Sequence, residues 1–141
     1  MRWKTVAIEE LRNYEAVKAA MEVLPELIDR QETAIRRIRT SDPSKVTGGS
    51  GGNNDALLSA IVYRDELKFR LREARKTVYA ISKVLETMDR DDRLILDILF
   101  IHPMKNGVDQ ICEALCIEKT AAYERRNKAL EKFTMTLYGC S

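Results

Sequence analysis

The stretch from Ala56 to about Met88 constrains the fold more than any other part of the sequence. Apolar residues recur in it at spacings of three and four over about four heptads, as one face of a long α-helix requires. The residues of this seam are Leu57, Ala60, Ile61, Leu67, Leu71, Ala74, Val78, Ile81, Leu85 and Met88. Such a seam is typical of coiled-coil-like helices, which another helix must cover. The pattern predicts an all-α protein in which this helix has a helical partner, from the same chain or from another subunit.

A second long helix is predicted upstream, over residues 5–39, where apolar side chains mostly keep to one stripe. Pro25 lies inside it. Because proline removes one backbone hydrogen bond, we expect either a kink near residues 21–24 or two abutting helices. Trp3 is expected to pack against a partner that the local sequence does not identify.

Residues 40–54 separate the two helices and predict a flexible linker, since they contain Pro43 and four glycines. A phosphate-binding loop is not indicated, because Asn53-Asn54-Asp55 follows the glycines in place of Gly-Lys-Ser/Thr. Asp55 is a suitable N-cap for the next helix. The linker would let the two helices return as an antiparallel hairpin, which gives a predicted first domain of residues 1–88.

The remaining residues, 89–141, are predicted to form a second, smaller helical domain. Residues 93–101 are apolar on nearly every side, which predicts a short buried helix. Pro103 ends it and Asn106-Gly107 makes a turn. His102 stands at the end of this helix, where a histidine facing the helix dipole is ordinary and a catalytic role is not expected.

Two helices joined by a tight turn at residues 116–118 follow, in the outline of a helix-turn-helix. The turn residue before Ile117 usually needs a positive φ, and Cys116 stands there in place of glycine. Ile117 is the apolar side chain that the turn inserts between the helices. The residues predicted to face inward are Val108, Ile111, Cys112 and Leu115 on the first helix, and Ala122, Ala129, Leu130 and Phe133 on the second.

The outward side of the second helix carries side chains that can bond phosphates and base edges in DNA. The residues that we predict as the DNA-binding set are Lys119, Thr120, Tyr123, Glu124, Arg126, Asn127 and Lys128. A helix-turn-helix places such a second helix in the major groove of double-stranded DNA. The alternative is a merely solvated face, since any amphipathic helical pair exposes polar residues.

The segment from Asp91 to Phe100, together with Ile111 to Leu115 and Tyr123 to Phe133, resembles region 4 of sigma-70 factors. It is more similar still to small phage and prophage regulators of late transcription, of the ArpU and RinA type. The resemblance covers about the last 50 residues, with a weaker likeness upstream. It implies a transcription regulator of late genes in the cytoplasm of a bacterial host, with RNA polymerase as a possible partner. Cys116 and Arg125 depart from the usual glycine and apolar residue.

Charge allows only a local nucleic-acid footprint. The 141 residues contain 24 Lys and Arg against 22 Asp and Glu, a formal net charge of +2. Between Glu118 and Lys132 there are five Lys or Arg and three Glu, a slight basic excess. Binding by one copy would be weak and strongly salt-dependent, unless the protein dimerises or is held by a partner.

A second basic set lies on the helix of residues 56–88. Its members are Arg64, Lys68, Arg70, Arg72, Arg75 and Lys76. Acidic residues of the first helix could neutralise it, namely Glu9, Glu10, Glu15 and Glu22. A solvated face is the ordinary interpretation of such a run, and a second DNA contact is the alternative.

Other classes of protein find little support. Three cysteines, at positions 112, 116 and 140, make no disulfide framework. With His102 they would leave a zinc site one ligand short, so we predict no metal and no cofactor. No apolar run is long enough for a membrane span, and no catalytic set is recognisable.

The sequence therefore favours a non-enzymatic, DNA-binding transcription regulator, with a helical interaction or scaffold protein as the alternative. We further expect a homodimer, because one facing helix, kinked at Pro25, leaves part of the long seam uncovered. A monomer that gains affinity from RNA polymerase is the alternative to the dimer.

Overall fold

The computed structural model describes residues 2–40 and 52–140, and within these residues every regular element is helical. The all-α prediction is confirmed. The chain forms five α-helices there, and a π-helical turn at Asp97–Ile101 directly follows the third. The helices are α1 Trp3–Thr40, α2 Gly52–Thr87, α3 Arg90–Leu96, α4 Gly107–Leu115 and α5 Lys119–Tyr138.

α1 extends beyond its predicted bounds at both ends, and α2 begins four residues earlier and ends one residue earlier than predicted. α1 runs through Pro25 without a break, so the alternative of two abutting helices is wrong. Leu24 and Ile28 on either side of the proline are both 8 % exposed, and their burial offsets the lost hydrogen bond. α2 begins at Gly52, which places Asp55 in its first turn rather than at the N-cap. There the carboxylate still complements the positive end of the helix dipole.

The predicted flexible linker lies mainly outside the described residues. Its described ends, Thr40 and residues 52–54, are helical, whereas the prediction placed them in the linker. The prediction of mobility concerns residues 41–51, which the structure does not describe.

The chain forms two compact units whose boundary differs from the predicted division after residue 88. One unit comprises residues 18–76, and the other comprises residues 1–17 and 77–141. The start of α1 and the end of α2 therefore belong with α3, α4 and α5. A hydrogen bond of 2.6 Å between the hydroxyls of Tyr14 and Ser82 joins the two helix segments inside that larger unit.

The unit of residues 18–76 is a pair of helices around a small apolar core. Leu24 and Ile28 of α1 share this core with Leu67 and Leu71 of α2. Further along α1, the Gln31 side-chain amide donates to the carbonyl oxygen of Ala60 at 3.0 Å. Because residues later in α1 contact residues earlier in α2, the two segments run antiparallel.

Four of the six members of the basic set of α2 are paired within this unit, but not with the acids predicted for it. Lys68 Nζ lies 3.2 Å from Glu32 Oε1 on α1. The other pairs lie within α2 itself: Arg64 with Asp65, Arg70 with Glu66 and Lys76 with Glu73. Glu15, one of the predicted partners, instead lies 3.3 Å from His102 Nε2. Helical spacing favours partners three or four residues away, which explains two of the pairs.

The seam that predicted the fold is covered along its whole length. Leu67, Leu71, Ala74, Val78, Ile81 and Met88 are buried, and Leu57, Ala60, Ile61 and Leu85 are half-buried. The homodimer prediction relied on an uncovered part of this seam; no seam residue is fully exposed, four are half-buried, and the homodimer stays a prediction.

The larger unit is built around α3 and α5. Ile95 and Leu96 of α3 and Phe133 of α5 are completely buried, as is Ile111 of α4. α3 begins at Arg90, three residues earlier than predicted, and it has the predicted buried face. This arrangement fixes the inner side of α5 and leaves its first three turns free to present an outer side.

Trp3 packs against Tyr138, the last residue of α5. Its ring lies 4.9 Å from the ring of Tyr138, at an interplanar angle of 35°. The Tyr138 hydroxyl is buried and, among the described residues, has no hydrogen-bond partner. Burial, together with the nearby charge of Glu10, raises the pKa of Tyr138 above its usual value of 10.0.

Candidate functional site

The turn between α4 and α5 sets the direction in which α5 leaves the unit. Cys116 has φ 54° and ψ 48°, in the left-handed region, so the positive φ predicted at this position is confirmed. The backbone N–H groups of Cys116 and Ile117 both donate to the carbonyl oxygen of Cys112, the latter at 3.1 Å. A non-glycine residue in this region costs about 1–2 kcal/mol. The turn therefore keeps its geometry against a modest local strain.

The inner face of α5 is the one that the sequence predicted. Ala122, Ala129, Leu130 and Phe133 are all buried, at 0–6 % exposure. On α4, Ile111 is buried, and Val108, Cys112 and Leu115 are half-buried. Two alanines on α5 leave room for close approach of the neighbouring helices. The residues one position away from this face must then point outward, since 3.6 residues make one turn.

The outer face of α5, by which we mean residues 119–128 that are not buried, holds the predicted DNA-binding set. Six of its seven members are exposed, namely Lys119, Thr120, Tyr123, Glu124, Asn127 and Lys128, and Arg126 is half-buried. The structure thus brings all seven onto one helix segment of about three turns. Their hydroxyl, amide, guanidinium and ammonium groups can bond phosphate oxygens or base edges.

Three members of this face contact one another. The Arg126 guanidinium carbon lies 5.1 Å from the centroid of the Tyr123 ring, in a cation–π arrangement. The same guanidinium donates to the side-chain oxygen of Asn127, at 3.2 and 3.4 Å. These contacts hold a flexible side chain in one region, which lowers the entropy that a bound ligand would have to remove.

Lys119, at the start of α5, is the member closest to a carboxylate of α4. Its Nζ lies 3.7 Å from Asp109 Oδ1, and both side chains are more than 60 % exposed. Pairs of this kind contribute little in water. A phosphate could therefore replace Asp109 as the partner of Lys119 at small cost.

A second row of cations on α5 was not recognised as a set in the sequence. Arg125, Lys128 and Lys132 follow at spacings of three and four, so they share one side of the helix. They line a recess of about 320 Å³ with Asp89 and Asp92. The spacing alone could have identified the row, but nothing in the sequence pairs it with those acids.

The acids at the start of α3 give Arg125 a partner on the neighbouring helix. Arg125 lies 3.6 Å from Asp91. Lys132 lies 3.4 Å from Asp92, whose side chain is 8 % exposed. These two pairs fasten the middle and end of α5 to α3. They also neutralise two of the five cations between residues 118 and 132.

No group of three or more His, Cys, Asp or Glu side chains is placed to hold a metal ion in the described parts of the chain. His102 instead contacts carboxylates: its Nδ1 lies 2.7 Å from Asp97 Oδ1. Of the helices described here, none is both long and apolar enough to cross a membrane.

Comparisons with known proteins identify a family but no characterised relative. No curated protein and no solved structure matches the chain significantly. The model of one protein family, described as "Protein of unknown function (DUF1492)", matches residues 39–134, which include all of α2, α3 and α4 and most of α5. Since this match covers more than half of the sequence, the chain belongs to the DUF1492 family.

Proposed function

We propose that this protein is a DNA-binding transcription regulator, in which α4 and α5 form a helix-turn-helix and α5 enters the major groove. By its resemblance to phage and prophage regulators of late transcription, it would control late genes in a bacterial host. RNA polymerase is the further partner that this resemblance implies.

The outer face of α5 carries this proposal. A run of hydrogen-bond donors and acceptors is exposed on a helix whose opposite face is only 0–6 % exposed. The helix is therefore fixed by its own domain and presents its polar side outward. That is the arrangement a recognition helix needs, because base reading requires side chains held in register by a rigid support.

The chemistry of the individual side chains assigns their roles within the proposal. Arg126 can make a paired contact to the O6 and N7 atoms of guanine, and Asn127 to the N6 and N7 atoms of adenine. Lys119, Thr120 and Lys128 suit phosphate oxygens, which position a protein without reading sequence. Tyr123 supports Arg126 through the ring contact of 5.1 Å. Glu124 suits the N4 amino group of cytosine.

The modest charge sets an expectation for affinity. With a formal net charge of +2, and with Arg125 and Lys132 paired to acids, few cations remain for phosphates. Non-specific binding should be weak, and specific contacts should supply a large share of the affinity. Loss of Arg126 or Asn127 should then be readily measured, since each such pair contributes about 1–3 kcal/mol of base discrimination.

The test is a titration of labelled duplex DNA, after selection of a preferred site from a random pool. Arg126→Ala/Asn127→Ala should weaken binding to that site by at least about 30-fold, since two contacts of about 1–3 kcal/mol are lost. The chain offers a matched control at Arg12-Asn13, the same dipeptide on an exposed part of α1. Arg12→Ala/Asn13→Ala should bind with unchanged affinity.

Melting temperatures should separate loss of contacts from loss of folding. Both double variants change exposed or half-buried side chains, so both should melt close to the unsubstituted protein. Full-strength binding by Arg126→Ala/Asn127→Ala, or no binding of any duplex at low salt, would contradict the proposal.

A further inference from the structure

The α2 helix exposes a second apolar stripe on the side opposite its core. Leu58, Val62 and Phe69 are 61 %, 58 % and 55 % exposed. They repeat at spacings of four and seven, which keeps them on one side of a helix. The core residues Leu67 and Leu71 lie about half a turn away on the opposite side. In the unit of residues 18–76, α2 is therefore apolar on two faces, and only one of them is covered.

One charged residue lies at each end of this stripe, and the two have opposite signs. Asp55, Val62, Phe69 and Lys76 follow one another at intervals of seven residues, which is about two helical turns. All four are exposed and lie within the single helix α2. The acid stands at the N-terminal end and the base at the C-terminal end. We call this row the outer stripe of α2.

The charges around the stripe follow the same polarity. Residues 55–66 contain three acids and one base, whereas residues 67–76 contain five bases and one acid. Laid antiparallel on a second copy, in the register that sets Val62 opposite Phe69, the stripe brings Asp55 at one end to Lys76 of the other chain. At the centre Asp65 and Glu66 come near their own copies, and Arg64 and Arg70 of the same helix pair with them there. A parallel pair would bring like charges together, which is unfavourable.

We propose that the outer stripe of α2 binds the same stripe of a second copy of this chain in an antiparallel arrangement. Val62 of each chain lies opposite Phe69 of the other, at the middle of the contact. Seven residues outward on each side, Asp55 of one chain then meets Lys76 of the other. This homodimer uses a face distinct from the covered seam, and it does not depend on the proposed DNA binding.

Existing ion pairs offer little resistance to this assembly. Lys76 pairs with Glu73 at 3.4 Å, and Arg70 pairs with Glu66 at 2.7 Å. All four side chains are more than half exposed, so these intrahelical pairs are weak and can rearrange. The apolar side chains supply the association free energy, and the charges select its direction.

The size of the stripe sets the strength that the dimer can reach. It has three apolar side chains per chain, spread over 12 residues or about 16 Å of helix. That is small compared with stable dimer interfaces. The expected dissociation constant is on the order of micromolar, so the protein should be partly dimeric at the concentrations used in solution experiments.

Sedimentation equilibrium of the full chain without DNA tests the proposal. Phe69→Lys and Val62→Lys should each weaken self-association by at least about tenfold, since each removes a buried apolar side chain at two symmetric positions. Tyr79→Lys is the matched control, because Tyr79 is 66 % exposed on the same helix but lies beyond the stripe. It should leave self-association unchanged.

Charge reversal tests the antiparallel direction. Asp55→Lys and Lys76→Asp should each weaken the dimer, and the double variant Asp55→Lys/Lys76→Asp should restore it. Circular dichroism and melting should show all variants folded, since the changed residues are exposed. A 16.2 kDa monomer at every soluble concentration would overturn the proposal. Unchanged association in both stripe variants, or failure of the double reversal to restore it, would also overturn it.

Discussion

The outer face of α5 and the outer stripe of α2 are both exposed helix surfaces, yet they offer a partner opposite kinds of interaction. The α5 face presents Lys119, Tyr123, Arg126 and Asn127, whose exposed polar groups can exchange their present partners for those of a ligand. The α2 stripe presents three apolar side chains that are more than half exposed. A polar ligand with many hydrogen-bond acceptors can bind the α5 face. The α2 stripe is stabilised when a partner removes its apolar side chains from water.

This difference shows how one simple architecture can support two kinds of binding. In both helices the buried face holds the helix against its neighbours, so the residues of the outer face can differ in chemistry. The α5 face needs a rigid support, because hydrogen bonds depend on distance and angle. The α2 stripe needs only matching shape and charge polarity, because burial is not directional.

The largest effect should come from removing the support of α5. Phe133 is completely buried, and Phe133→Ala should lower the free energy of unfolding by about 3–5 kcal/mol and weaken DNA binding with it. Urea denaturation measures this loss. Met135, two residues further on and 46 % exposed, is the control, and Met135→Ala should cost less than about 0.5 kcal/mol. Equal costs for the two would show that the inner face of α5 is not its support.

Salt concentration should affect DNA binding by α5 more strongly than self-association through the α2 stripe. If α5 contacts about three phosphates, raising the salt from about 50 to 200 mM should weaken DNA binding roughly 40-fold. Self-association through the α2 stripe should change by less than about threefold, because most of its free energy is apolar. Titration and sedimentation at each salt concentration make the comparison. An equal loss of DNA binding and of self-association would mean that both contacts are mainly electrostatic.

The turn at Cys116 offers a smaller test, since the direction of α5 depends on it while the α2 stripe lies in one uninterrupted helix. Cys116→Gly should stabilise the protein by about 0.5–1 kcal/mol, because glycine adopts a φ of 54° without strain. Ala114→Gly, two residues earlier inside α4, should instead destabilise it by about 1 kcal/mol. Thermal melting of the two variants should thus give shifts of opposite sign. Shifts of the same sign would remove the argument for strain at Cys116.

The smallest effect should appear at Tyr138, in the last turn of α5 and away from its outer face. Tyr138→Phe removes a buried hydroxyl that lacks a partner, so it should be neutral or stabilise by up to about 1 kcal/mol, with DNA binding unchanged. The folded protein raises the pKa of Tyr138 above the unfolded value of 10.0. The stability gained from this group is therefore present below pH 10.0 and is lost as the pH rises through the folded pKa.

Chemical denaturation across that pH range checks the sign. The stability of the unsubstituted protein should fall more steeply above pH 10.0 than that of Tyr138→Phe. Identical profiles would show that the pKa of Tyr138 is the same in the folded and unfolded protein.

Sequence periodicity predicted burial well in this chain. The inner residues of α5 and most of the α2 seam were identified because a helix returns to the same side every three to four residues. The positive φ at Cys116 followed from the geometry of a tight helix-helix turn. These features depend on one residue and its near neighbours, so the sequence contains them.

Pairings between distant residues could not be predicted in the same way. Arg125 meets Asp91, and Lys68 meets Glu32, because the fold brings separate helices together. The exposed stripe was missed for a related reason. Val62 and Phe69 interleave with seam residues, and apolar character alone does not say which of two faces is covered. Helix α1 continues through Pro25 because packing around it outweighs a local preference.

The most direct test of the two-surface account is a set of ¹⁵N amide spectra of the 16.2 kDa chain, recorded with and without a selected duplex and over a dilution series. Addition of DNA should shift the amides of residues 119–128 and leave those of residues 55–76 unchanged. Dilution should shift residues 55–76 and leave residues 119–128 unchanged. Shifts on DNA addition confined to α2, or dilution shifts confined to α5, would contradict the account.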